Sequence, residues 1–143
     1  MPPPGDECDG RFDADLNSPV VGETDDTFDW TIERCPGAQG NGWFRNVKSI
    51  TISGCWHRGD IDSVEVSDGK VKVGHDGTIK VFQLRNDDLP LDVTVKFDDE
   101  FLAGEDTVEV FVKETGWPGW FWHFLFTFFQ HGHLNADGPV CEN

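Results

Sequence analysis

From residue 28 onward apolar and polar side chains alternate with a period of two, interrupted at short intervals by glycine, proline and aspartate. Successive side chains of a β-strand point to opposite faces, so each such run predicts a strand with one buried and one wet face. Phe28, Trp30 and Ile32 alternate with Asp29, Thr31 and Glu33; Ile50 and Ile52 alternate with Ser49 and Thr51. Val93, Val95 and Phe97 repeat the pattern against Asp92, Thr94 and Lys96, as do Val108, Val110 and Val112 against Glu109 and Lys113. Between Val64 and Val73 the pair Asp68-Gly69 separates two alternating runs, which predicts a tight hairpin. Asp76-Gly77 leads into a further strand, Thr78 to Arg85, whose alternation breaks between Val81 and Phe82 and predicts a bulge or two-sided burial. Cys35 to Gly42, with three glycines and a proline, predicts a loop. About eight short strands with turn residues between them, and no amphipathic helix, predict an antiparallel β-sandwich of jelly-roll or immunoglobulin-like type. Residues 1–27, rich in Pro, Gly, Asp and Asn, read as an extended N-terminal arm and not as a packed element, leaving residues 28–143 as the sandwich domain.

With 143 residues, 37% of them hydrophobic, the chain is sized for one domain around one core. Its aromatic surface comes from 12 Phe and 6 Trp with no Tyr, which favours dry packing. The charge is lopsided: 27 acidic residues against 11 basic give a net charge of −16. Such a surface repels itself at ordinary ionic strength, whereas molar salt shortens the Debye length to roughly 3 Å and removes most of the repulsion. In this bias the composition resembles proteins of salt-loving archaea and their viruses, a likeness of class and of no particular family. Nucleic acid is not expected as a partner, because the basic residues are scattered singly among acids.

Cys8, Cys35, Cys55 and Cys141 lack the close spacing of a zinc or redox motif and are expected in disulfides, Cys35 with Cys55 across one loop and strand and Cys8 with Cys141 across the termini. Bridged cysteines imply an oxidising location, outside the cell or on a virion surface. The opening Met1-Pro2-Pro3-Pro4-Gly5 has neither the basic segment nor the apolar core of a signal peptide. The two fit together as a virion protein oxidised after lysis, or as a mature secreted domain with an added Met.

The run from Trp120 to Phe129 is apolar on both faces of a strand. Trp120, Trp122, Phe124, Phe126 and Phe128 fall on one side, and Phe121, Leu125 and Phe129 on the other. A sandwich strand needs one buried face, so the second predicts an interface with another subunit or with the arm; the alternatives are a central strand covered on both sides or a short buried helix after Pro118. A membrane span needs about 20 apolar residues, so this run does not predict one.

Asp13, Asp15 and Asn17 match the first three side-chain positions of an EF-hand calcium loop, and the match then fails at Ser18 and Thr24. No other cofactor is expected. His131-Gly132-His133 with His123 offers a metal reading that a surface turn explains equally, and Arg58-Gly59-Asp60 reads as a turn. Trp43, Trp56 and Trp117 could stack on a sugar or plug the ends of the sandwich. The chain carries no nucleophile elbow, no phosphate loop and no zinc-protease motif.

The sequence therefore predicts a non-enzymatic structural subunit that forms a homo-oligomer or larger assembly, an exterior virion component of a halophilic archaeal virus such as a capsid, turret, decoration or tail protein. The alternative is a secreted or surface carbohydrate-binding module, calcium-dependent through Asp13, Asp15 and Asn17.

Overall fold

The computed structural model describes residues 12–35, 45–85, 88–116 and 128–141, with backbone only at 45, 46, 115, 116 and 128–132. Eight strands follow one another: β1 (Phe12–Ser18), β2 (Thr24–Arg34), β3 (Arg45–Ser53), β4 (Ile61–Val66), β5 (Lys70–Val73), β6 (Ile79–Phe82), β7 (Leu91–Gly116) and β8 (Phe128–Val140). Every pairing is antiparallel, and the described residues contain no α-helix, only the 3₁₀ turn Arg58–Asp60 between β3 and β4.

The longest strand organises the rest. Over its first part β7 lies between β2 (Val93 opposite Trp30, Val95 opposite Phe28) and β4 (Val93 opposite Val66, Val95 opposite Val64). Over its last part it lies between β3 (Val112 opposite Ile50, Val110 opposite Ile52) and β8 (Val110 opposite Leu134). The exchange of partners coincides with register shifts: Phe101 pairs with Asp25 but Lys96 with Thr27, and Gly104 pairs with Gly138 but Val108 with Ala136. Extra residues on one strand bend it and sharpen its twist, which lets one chain segment serve two sets of neighbours. Asp106, at φ 53°, lies in this bend. The two runs at 93–97 and 108–112 are thus halves of a single strand.

Inward residues from both parts meet in one core. Phe28, Trp30, Ile32, Val93, Val95 and Phe97 join Ile50, Ile52, Ile79, Val81, Val108, Val110 and Val112 in a single buried cluster. Trp30 and Trp56 lie at its centre with ring centroids 6.3 Å apart, and Phe97 is 5.5 Å from Trp56. Each indole N–H finds a carbonyl: Trp30 donates to Asp137 O at 2.8 Å and Trp56 to Gly77 O at 2.6 Å. Gly77, at φ +91°, is required there, since a Cβ would stand 2.6 Å from the Trp56 carbonyl oxygen.

Several expectations are corrected. Asp68-Gly69 makes no hairpin: β4 pairs with β7 and β5 with β6, and the Ser67 amide donates to Asp92 O at 3.0 Å, so the turn carries the chain from one neighbour set to the other. The hairpin belongs to Asp76-Gly77, where Val73 faces Ile79, the Gly74 amide donates to Thr78 O at 2.8 Å and the Thr78 amide donates to Asp76 Oδ1 at 3.1 Å. The break at Val81 and Phe82 is the end of β6: Gln83 adopts φ 58° and the buried Leu84 follows. Residues 12–18 and 24–27, expected as unpacked arm, are β1 and the start of β2; Phe12 and Ala14 on alternate positions give β1 its buried face against β2.

The cysteine pairing also differs. Cys55 is bonded to Cys141, 86 residues away, with Cα atoms 5.7 Å apart. That excludes both expected pairs, Cys35 with Cys55 and Cys8 with Cys141. β8 returns along β7 so that its C-terminal end meets the segment after β3, a proximity the linear order conceals. Cys35 is also disulfide-bonded, and Cys8 lies outside the described residues.

Among the described residues, one acidic side chain lies inside. Glu114 continues the inward series of Val108, Val110 and Val112 and is fully buried. Arg34 at the end of β2 meets its Oε2 at 3.1 Å, and the guanidinium carbon lies 5.4 Å from the Phe12 ring centroid. Removing one member of a buried ion pair costs about 3 kcal/mol. Arg34→Met is therefore expected to lower the urea midpoint of unfolding sharply; an unchanged midpoint would show that the pair is not structural.

The 86-residue span of the Cys55–Cys141 bridge corresponds to roughly 4–5 kcal/mol of unfolded-state restriction in the loop-entropy account. Cys55→Ser should reduce stability by an amount of this order, and a peptide map without reduction should recover the Cys55 and Cys141 peptides joined. Recovery of Cys55 joined to Cys35 would contradict this topology.

Candidate functional site

The outward face of β1 and β2 carries the predicted acidic residues. Asp13, Asp15 and Asn17 alternate along β1 while Phe12 and Ala14 turn inward. Asp13 stands directly opposite Glu33, and Asp15 opposite Thr31. Carboxylate oxygens of Asp13, Asp15 and Glu33 lie within 4.8 Å of one another. Glu33 thus joins the two aspartates. The Asn17 amide nitrogen donates to Thr31 Oγ1 at 2.7 Å and to Asp29 Oδ2 at 3.4 Å. Sequence spacing found the two aspartates because period two puts them on one face. It missed Glu33 because cross-strand register is not written in local sequence.

A hydroxyl ladder extends this face across β2 and β7. Thr31 Oγ1 donates to Asp92 Oδ1 at 2.7 Å, and Thr94 Oγ1 donates to Asp29 Oδ1 at 2.9 Å. These hydroxyls orient the Asp92 and Asp29 carboxylates. Partial burial, a hydrogen bond shared with Asp15 and the charges of Asp15 and Glu33 push the Asp13 carboxyl up to about 6 from 3.8. An all-oxygen donor set of this kind suits a hard cation such as calcium or magnesium and not zinc.

The remaining sequence candidates fall as follows. Trp56 is 1% exposed in the core. A ligand cannot stack on it, so it leaves the proposed sugar platform; Trp43 and Trp117 lie outside the described residues. Of the interface run, Trp120, Phe121, Trp122, Phe124, Leu125 and Phe126 also lie outside them, and Phe128 and Phe129 are described only as the backbone start of β8. His133 Nε2 meets Glu109 Oε1 at 3.4 Å on an exposed face, while His123 lies outside the described residues. Arg58-Gly59-Asp60 is used locally: the His57 amide donates to Asp60 Oδ2 at 2.8 Å, and Arg58 Nη1 donates to Val73 O at 2.6 Å. That arginine lines a groove of about 230 Å³ together with Ile61, Asp62, Val64, Val71 and Val73, which exists because β4 and β5 do not pair.

No protein-family model matches the chain, and a search of curated proteins finds no match.

The raised Asp13 carboxyl has a defined linkage. Between about pH 4 and 6 the folded state holds a proton that the unfolded chain has released, so this group's contribution to stability falls as pH rises through that window. Asp13→Asn should remove the fall and leave the variant the more stable form at pH 7. Because Asp13 is only partly buried, the gain is discounted for solvent screening to on the order of 0.5 kcal/mol. Thermal melts at pH 4 and pH 7 check this; a variant less stable than the parent at pH 7 would contradict it.

Proposed function

We propose that this chain is a non-enzymatic structural subunit, a β-sandwich of jelly-roll or immunoglobulin-like arrangement, that assembles with other copies on the exterior of a halophilic archaeal virus particle. The observation that carries the reading is the apolar run from Trp120 to Phe129 and its place in the chain. Gly116, the last described residue of β7, stands opposite Phe128, the first of β8, and most of the run lies between these two in sequence. Apolar side chains concentrated in such a connection favour burial against another subunit. The single core shared by both parts of β7 supports the sandwich arrangement. A disulfide across 86 residues suits a particle exposed to oxidising surroundings, and a net charge of −16 suits brine.

Two outcomes are expected. Replacing Phe121 and Leu125 together by Asp should give a folded protein that no longer assembles, read by circular dichroism and size-exclusion chromatography. Loss of the folded signal would mean that the monomer's own core covers those residues. Transfer of the parent from molar to millimolar salt should lower its melting temperature, and equal melting in both would remove the halophilic part of the reading.

A further inference from the structure

The fold gathers most of the lysines onto one face. Lys70 and Lys72 on β5 and Lys80 on β6 all point away from the core, since Val71, Val73, Ile79 and Val81 between them turn inward. Lys72 stands directly opposite Lys80, Lys80 opposite Thr51 on β3, and exposed Lys48 lies at the β3 bulge. None of these four forms an ion pair with a described residue. That is unexpected in a chain with 27 acids. Like charges directly opposite each other on neighbouring strands are destabilising, so the Lys72–Lys80 pair costs free energy in the isolated molecule.

The outward face of β1, β2 and the first part of β7 shows the converse. Asp13 and Glu33 form a like-charge cross-strand pair, with Asp15, Asp29 and Asp92 beside them. The one lysine of that face, Lys96, is engaged at 3.9 Å by Asp62. Both faces look away from the same core, so each molecule presents a cationic patch on β5 and β6 and an anionic patch on β1, β2 and the first part of β7.

We infer that the Lys70, Lys72 and Lys80 face docks on the Asp13, Asp15 and Glu33 face of a second copy of this chain, head to tail. This rests on the assembly reading and supplies it with a contact. Each like-charge pair is relieved by the other, and strand spacings of about 4.8 Å across and 6.8 Å along are common to both faces. The contact is heterologous, so it propagates beyond a dimer. Two copies of net charge −16 repel at distance, and salt removes that repulsion while ion pairs at contact survive better. A nucleic acid would meet the same lysines but also the repulsion of the whole acidic molecule, without relieving the anionic face.

Two triple variants test this by sedimentation velocity at moderate and molar salt, with circular dichroism to confirm folding: Lys70→Glu/Lys72→Glu/Lys80→Glu and Asp15→Lys/Glu33→Lys/Asp92→Lys. Each alone should lose self-association by at least about tenfold, and an equimolar mixture should regain it, because reversed faces complement one another. If a reversed variant does not fold, the lysine-to-glutamine triple and the matching amide triple replace it and should each weaken association. Variants that keep the parent's mass would overturn the docking inference while leaving the assembly reading intact. A parent that stays monomeric at both salts would contradict the assembly reading itself. Binding of a labelled oligothymidylate by a monomeric parent, lost in the lysine variant, would assign the face to nucleic acid and overturn the inference.

Discussion

Backbone hydrogen bonding along β7 is the constraint on which the other strands depend. A strand whose both edges are occupied must satisfy its amides and carbonyls with two neighbours at once. β7 does so with β2 and β4 at one end and β3 and β8 at the other. β1, β6 and β5 reach it only through intermediates. The bend between the two parts keeps both apolar runs facing one core, and the indoles of Trp30 and Trp56 fill the space between them. The Trp30 hydrogen bond to the β8 backbone and the Cys55–Cys141 bridge then hold β8 in place.

Charge acts on this frame at two depths. At the Arg34–Glu114 contact the carboxylate is fully buried, so loss of either partner leaves a costly unpaired group between β2 and the end of β7. At the surface a single ion pair is worth 1 kcal/mol at most, roughly, and salt weakens it further. Exposed carboxylates therefore shape solubility, salt response and contact with other molecules far more than they shape the fold. The segregation of lysines from aspartates on the outward faces belongs to that second level.

Period-two alternation was sufficient to place β2, β3, β6 and both parts of β7, because each has a dry face and a wet one. Features set by long-range pairing were not legible. Two Asp-Gly pairs look alike in sequence, yet one closes the β5–β6 hairpin and the other carries the chain from β4 to a strand it does not pair with; the difference lies in which neighbour is free to accept hydrogen bonds. Glu114 occupies a core position that alternation reserves for an apolar side chain, and only the spatial approach of Arg34 reconciles it. The partner of Asp13 and Asp15 is Glu33 because β1 pairs with β2 in one register, and the lysines scattered from 48 to 80 converge because β3, β6 and β5 lie side by side. Local composition carries no record of either.

The proposed contact between copies joins the lysine face of one molecule to the acidic face of the next. Its most direct test is the mass of the intact parent protein in solution by multi-angle light scattering at molar salt over a range of concentrations. A mass that rises with concentration in multiples of 16.0 kDa is predicted. A mass of 16.0 kDa at every concentration would contradict it.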